Sequence, residues 1–150
     1  KGTREVIYIK LRKSCNFGEG WVSSSEIDKI GLAEALRIGA ARALKQLKAL
    51  RTEEILIDGS VNFAPKTFKK SVCRIRADKS VQLVAAASVH AKVTRDRFMA
   101  NLSKKHPLYG FDRHVGYGTR LHQAALRRHG AILTVHRMSY RPLKDLVATQ

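Results

Sequence analysis

The sequence predicts an α/β fold, and three observations carry that expectation. In "EILIDG", residues 54–59, Ile55, Leu56 and Ile57 form an uninterrupted apolar run of strand length, the pattern of a strand covered on both faces by helices. In "VCRIRAD", residues 72–78, Cys73, Ile75 and Ala77 alternate with Val72, Arg74 and Arg76, as in a second strand. On either side, Leu36, Ala40, Leu44 and Leu47 recur at steps of three and four, and "AAASVHAKV" supplies the small residues of a helix that lies close to a sheet.

Each element follows from local chemistry. "EVIYIKL", residues 5–11, fits either a short strand or a helix, and the following "RKSCNFGEGWVSSS" is loop-like, with Gly18 and Gly20 as breakers. Ser25 and Asp28 form a weak capping box, which predicts one long amphipathic helix from Ser25 to near Arg51. The first strand ends at Asp58 and the second at Asp78, with a loop over residues 60–71 containing Pro65 between them. A helix is predicted from about Val81 to Lys104, stopped by Pro107. The stretch "YGFDRHVGYGTRLH", residues 109–122, suits neither a helix interior nor a strand. Thr119 can cap a further helix that ends before Gly130. "AILTVHRMSYRP" and a short final helix complete the prediction, and no internal repeat or low-complexity segment occurs.

A length of 150 residues with 44% hydrophobic and 27% charged content suits one folded domain. The charge is less ordinary: 29 Lys and Arg against 12 Asp and Glu give +17, which opposes compaction by self-repulsion and points to a polyanionic partner. Nucleic acid is the first expectation. An anionic membrane is the competitor, but no apolar run approaches the roughly 18 residues of a spanning helix, no signal peptide opens the sequence, and the basic residues are spread along its whole length. Cys15 and Cys73 stand far apart in a chain too large to need a staple, which fits a reducing compartment and a cytoplasmic protein.

Asp58 and Asp78 each follow an apolar strand, and ligands of open α/β sheets gather outside the carboxyl ends of strands. Two carboxylates there could share a hard cation such as Mg²⁺, which combines one or two protein carboxylates with substrate phosphates and water and supports metal-assisted phosphodiester cleavage. The commoner uses of such residues are an Asp-Gly turn at Asp58 and a helix cap at Asp78. Lys92 and Arg95 lie about one helical turn apart, either reaching a phosphate backbone or forming a solvated basic face. Tyr117 between Gly116 and Gly118 is a ring whose flanking residues lack side chains, suited to stacking on a base or sugar, or else a packed loop tyrosine. The six histidines show no paired zinc spacing, and no Walker-type loop, Ser-His-Asp pattern or reactive-cysteine motif occurs.

Taken in order, "IDG", "RADKS", "AAASVHAKVTRDRFM", "YGFDRHVGYGT" and "HRMSYRP" strongly resemble the second part of ribonuclease HII, the type 2 ribonuclease H. The upstream "SSSEIDKIGLAEALRIGAARAL" resembles the long helix before that family's third acidic residue, so the resemblance covers nearly the whole chain. It implies an RNase H-like fold, a central mixed sheet flanked by helices. It also implies an endonuclease that cuts RNA in RNA/DNA hybrids and on the 5′ side of single ribonucleotides in duplex DNA, with Mg²⁺ or Mn²⁺ held by four acidic residues. By motif, Asp58 resembles the third of these and Asp78 the fourth, Lys92 and Arg95 match positions that contact substrate phosphates, and Gly116, Tyr117 and Gly118 match the loop that reads the ribonucleotide-to-DNA junction. The implied partners are an RNA/DNA hybrid and a ribonucleotide-containing DNA duplex, with no membrane, and the implied state is a monomer.

Two departures qualify the resemblance. The family's loop has a lysine before the glycine-tyrosine-glycine where this chain has Val115, implying the loss of one phosphate contact. The family's first two acidic residues form an Asp-Glu pair followed by a glycine-arginine-glycine turn, and neither motif occurs here. The expectation is therefore a single but incomplete catalytic domain, 1–150, without the first strands of its sheet and with "EILIDG" left at an uncovered edge. A non-catalytic basic nucleic-acid-binding protein or inactive fragment is the alternative from another class. A ribonuclease HIII is the nearer one, disfavoured by the glycine-tyrosine-glycine loop.

Overall fold

A computed structural model describes residues 2–141 and residue 143; the predicted final helix lies largely outside the described residues. The chain divides into two compact units. Among the described residues, the first contains 2–22 and 32–93, the second 23–31, 94–141 and 143.

In the first unit, "EVIYIKL" lies within a helix, α1 (Gly2–Ser14), of the two options open to it. Residues 15–22 then run without regular structure against α3 (Leu32–Gln46). The glycines in that segment have a packing reason: a Cβ on Gly18 would overlap the Ala43 carbonyl oxygen, and one on Gly20 would overlap that of Gly39. Their bare backbone thus lies directly on α3, where Arg42 donates to the Trp21 carbonyl and the Glu19 N–H donates to Gln46 Oε1 at 2.5 Å. His90 of α4 (Gln82–Lys105) is buried in this unit, its ring stacked on Phe17 at 4.2 Å and its Nε2 paired with Glu19 Oε1 at 2.9 Å.

The helix predicted to run unbroken from Ser25 to near Arg51 is two helices. Ser23, not Ser25, caps α2 (Ser24–Ile30), in a full capping box with Glu26. Gly31 then adopts φ 78°, ψ 163°, a conformation open to glycine that ends α2 through its N–H to the Ile27 carbonyl. α2 belongs to the second unit and α3, which ends at Gln46, to the first.

Strand β1 (Ile55–Asp58) pairs in parallel with β2 (Ser71–Arg74), Ile55 opposite Ser71 and Asp58 opposite Arg74. The α/β class stands, as helices with a small parallel sheet. Two details of the predicted strands do not. Ile55, Leu56 and Ile57 are half-buried rather than enclosed on both faces, and β2 stops at Arg74, four residues short of Asp78. The reason is local: Arg76 takes the left-handed φ of 56°, which turns the chain into a single 3₁₀ turn, Ala77–Lys79, and leaves Ile75 69% exposed.

In the second unit, α4 ends at Lys105, one residue past the expected end and ahead of Pro107 as expected, and the proline opens a 3₁₀ turn to Tyr109. Left-handed Gly110 starts the single turn α5 (Phe111–His114), and Thr119 Oγ1 caps α6 (Arg120–His129), accepting from the His122 N–H at 3.4 Å. α6 ends at Gly130, as its sequence signals imply. Tyr109, Phe111 and Ala125 form the core here, packed by Met99, Leu102, Leu126, Ile132 and Val135. Asp28 of α2 ties down the later chain: its carboxylate accepts from the Met138 and Ser139 N–H groups and the Ser139 hydroxyl. Those bonds, led by the Ser139 hydroxyl, hold the Asp28 carboxyl below its ordinary value.

Candidate functional site

Asp58 and Asp78 both lie in the first unit, brought near one another by the chain itself. Asp58 ends β1, exposed, and its Oδ1 accepts the N–H of Ala77, the residue before Asp78, at 2.9 Å. Gly59, at φ 127°, turns the chain away and donates to the Arg74 carbonyl at 3.0 Å. The Asp58 carboxylate is therefore fixed over the 3₁₀ turn that carries half-buried Asp78, with one oxygen engaged. Asp78 does not cap α4, which begins three residues beyond the turn.

Whether a hard divalent cation fits is a question of donor chemistry. Carboxylate oxygens are its preferred ligands, and a pair suffices where phosphate and water complete the shell. Among the described residues no cluster of three or more His, Cys, Asp or Glu is arranged to hold a metal, so Asp58 and Asp78 fit as a partial donor set. Cys15 and Cys73 are free thiols, both half-buried.

The second unit holds the tyrosine loop. Tyr117 is 59% exposed, which decides between its two readings: the ring is presented, not packed. Gly116 adopts φ 86°, and a Cβ there would press on Met99 Cε at 3.3 Å, whereas Gly118 faces open space. Between α5 and this loop Val115 sits at φ 43°, a left-handed conformation that costs a β-branched residue about 1–2 kcal/mol. The Arg95 guanidinium donates to the Tyr117 hydroxyl at 2.9 Å and lies 5.1 Å from the ring centroid. Arg95 also pairs with Asp96 at 3.1 Å. Burial opposes the arginine charge, but these hydrogen bonds outweigh it and hold its pKa above the ordinary value. Lys92, exposed on the part of α4 that belongs to the first unit, donates to Ser88 Oγ at 2.8 Å.

The link between Arg95 and Tyr117 was not legible beforehand, because nothing local relates residues 22 apart. Beneath the loop lie three further residues that motif spacing passed over. His114, His122 and His136 are all buried, and the His114 and His122 rings stack at 4.2 Å. His122 Nδ1 lies 3.1 Å from the Tyr117 carbonyl oxygen, and the Gly116 N–H donates to His114 Nδ1 at 3.2 Å. Their sequence signal is faint: two of the three flank the glycine-tyrosine-glycine, one two residues before it and one four residues after it, where a zinc search sees only unpaired histidines.

Comparison with known proteins gives a consistent result. The family model described as ribonuclease HII matches residues 3–142. A ribonuclease HII of Orientia tsutsugamushi (strain Boryong) is 38% identical over 141 residues, covering 94% of this chain and 66% of its own length. One from Halalkalibacterium halodurans is 38% identical over 151 residues, covering 100% of the chain and 56% of its own length. One from Fusobacterium nucleatum subsp. nucleatum is 36% identical over 150 residues, covering 98% and 68%. The chain thus spans between just over half and about two thirds of the length of these curated relatives.

Proposed function

The chain belongs to the ribonuclease HII family, and from that premise we propose a divalent-metal-dependent endoribonuclease that cuts RNA in RNA/DNA hybrids and on the 5′ side of single ribonucleotides in duplex DNA. The proposal includes an RNase H-like fold, to which the parallel β1–β2 pair and its helices would contribute. The observation that carries the reading is the presented ring of Tyr117, flanked by two glycines and tethered through its hydroxyl to Arg95.

The roles follow from the chemistry of each group. Tyr117 stacks at the junction where the 2′-hydroxyl, the group that distinguishes RNA from DNA, must be read, and the Gly116 and Gly118 backbones approach the strand closely. Arg95 orients the tyrosine and offers positive charge to a phosphate, and exposed Lys92 offers a second charge one turn earlier on α4. Asp58, held by the Ala77 N–H, and Asp78 would hold Mg²⁺ or Mn²⁺. When bound, such an ion supplies Lewis-acid stabilisation of the phosphate under attack. The +17 charge draws the polyanion in.

The test is cleavage by the gene product of a duplex carrying one ribonucleotide, with Mg²⁺ or Mn²⁺, beside an all-DNA duplex. Cutting of the first alone is expected. Asp58→Asn or Asp78→Asn should abolish cutting while leaving affinity nearly intact, and Tyr117→Ala should weaken the single-ribonucleotide substrate by about tenfold or more, the scale of a lost stacking contact. Wild-type cutting by either Asn variant would overturn the metal roles. A second reading, a non-catalytic basic nucleic-acid binder, draws on the partial donor set among the described residues. It predicts salt-sensitive binding with both duplexes left intact.

A further inference from the structure

We propose that His122, His136 and His114 are positioning residues for Tyr117: a neutral histidine relay that fixes the backbone of the Gly116–Tyr117–Gly118 loop and releases it in acid. The proposal rests on the reading above, in which Tyr117 meets the substrate.

Hydrogen-bond accounting assigns every proton in the relay. A backbone N–H can only donate and a carbonyl can only accept. The Ile132 N–H points at His136 Nδ1 from 2.9 Å, closer than the Ile132 carbonyl at 3.3 Å, so the nearer partner leaves that nitrogen bare and puts the proton of the neutral ring on Nε2. His136 Nε2 lies 3.2 Å from His122 Nε2 and must be the donor, which makes His122 Nε2 the acceptor and puts the His122 proton on Nδ1. From there it is donated to the Tyr117 carbonyl at 3.1 Å. The other arm is assigned in the same way. His114 Nδ1 accepts the Gly116 N–H, so its proton sits on Nε2 and is donated to the Tyr109 carbonyl at 2.8 Å. One set of neutral tautomers thus satisfies all six ring nitrogens, and two of the bonds end on the loop that carries the tyrosine.

A further proton breaks this arrangement. On His122 Nε2 it would face the His136 Nε2–H, donor against donor. On His136 Nδ1 it would find the Ile132 carbonyl at 3.3 Å, at the expense of the bond from the Ile132 N–H. Acid therefore breaks the relay at the His136–His122 contact: the His122 Nδ1–H still meets the Tyr117 carbonyl, but the ring loses the bond that holds it in place. The other titratable groups around it are His106 and Tyr109 before α5, His129 at the end of α6, Arg95 and Asp96 on α4 at the tyrosine hydroxyl, and Arg137 and Asp28 beside the segment that follows α6. No carboxylate bonds to any of the three rings among the described residues, so nothing offsets a buried positive charge. Burial, with the neighbouring His114, holds His122 below the ordinary histidine value against the pull of the Tyr117 carbonyl. Burial, then His122, does the same to His136.

The experiment has two arms. Nitrogen-15 NMR of histidine-labelled protein, with no nucleic acid, should show His122 as the Nδ1–H tautomer and His114 and His136 as Nε2–H, with the Gly116 and Tyr117 amides shifting as His122 protonates. Any other tautomer, or loop amides indifferent to that titration, overturns the relay. The second arm measures anisotropy of a single-ribonucleotide duplex and an all-DNA duplex without divalent metal, from about pH 8 to about pH 5.5, across the ordinary histidine range. The preference for the ribonucleotide should fall about tenfold with acid, the scale of one stacking contact, while all-DNA binding is kept. His122→Phe, which fills the space without donating, should lose the preference at every pH. His122→Asn, which puts an amide N–H near Nδ1, should keep it and remove its acid loss. A His122→Phe protein with the wild-type preference and pH profile overturns the proposal. If wild type shows no preference and Tyr117→Ala changes nothing, it is the reading of Tyr117 that fails, and the NMR arm still decides the relay.

Discussion

Val115 is strained and Tyr117 is presented, and the two facts belong to one short loop. A β-branched residue at φ 43° is held there by its surroundings, so removing the side chain should relieve strain: Val115→Gly is expected to stabilise the protein by up to about 1 kcal/mol, read as a higher urea midpoint. A lower midpoint would mean that the valine side chain packs well enough to outweigh its strain. The individual residues were unevenly legible. Asp58 and Tyr117 could be picked out because an acid after an apolar run and a ring between glycines are local patterns. The histidine relay could not, because His122 meets His136 14 residues away and the pairing exists only once the chain has folded back on itself. Spacing rules for histidine look for metal ligands, and these rings are ligands to backbone instead.

Boundaries set by a proline or by a cap and a closing glycine were read correctly, and a break inside an amphipathic run was not. α4 stops ahead of Pro107 and α6 lies between its caps Thr119 and Gly130, each boundary set by a residue with a physical reason to be there. The α2–α3 break was missed because Gly31 sits inside an amphipathic run where a glycine is often tolerated, and only its φ of 78° ends the helix. Gly18 and Gly20 read as loop breakers, yet their role is contact with α3. Gly20→Ala is therefore expected to cost about 1–3 kcal/mol, the range of an overpacked core, in chemical denaturation. An unchanged midpoint would show that the segment moves off α3 at no cost. Thr119→Ala, by contrast, removes one cap and should cost about 1 kcal/mol.

At the scale of the whole molecule, charge and pH set the behaviour. With +17 to neutralise, nucleic-acid affinity should fall steeply and linearly on a log-log plot against salt, and a flat plot would deny the polyanion a role. His122 and His136 have folded pKa values below the unfolded value of about 6.5, so below that pH the unfolded chain binds more protons. Stability is then complete above about pH 6.5 and is lost progressively as the pH drops toward the folded values. Asp28 extends the loss to stronger acid, since its stabilisation is present above 3.8 and disappears as the pH falls through its lowered folded value. Denaturation midpoints measured across this range should follow that curve, and a midpoint rising in acid would contradict it. The second unit is also drawn from two stretches of sequence, and Asp28 reaches Met138 across 110 residues. On a ribosome adding about 5–20 residues each second, α2 emerges on the order of ten seconds before the backbone that Asp28 must hold. For that interval a nascent chain carries a capped helix with no partner, and a chaperone that grips it would set the pace at which the unit is completed.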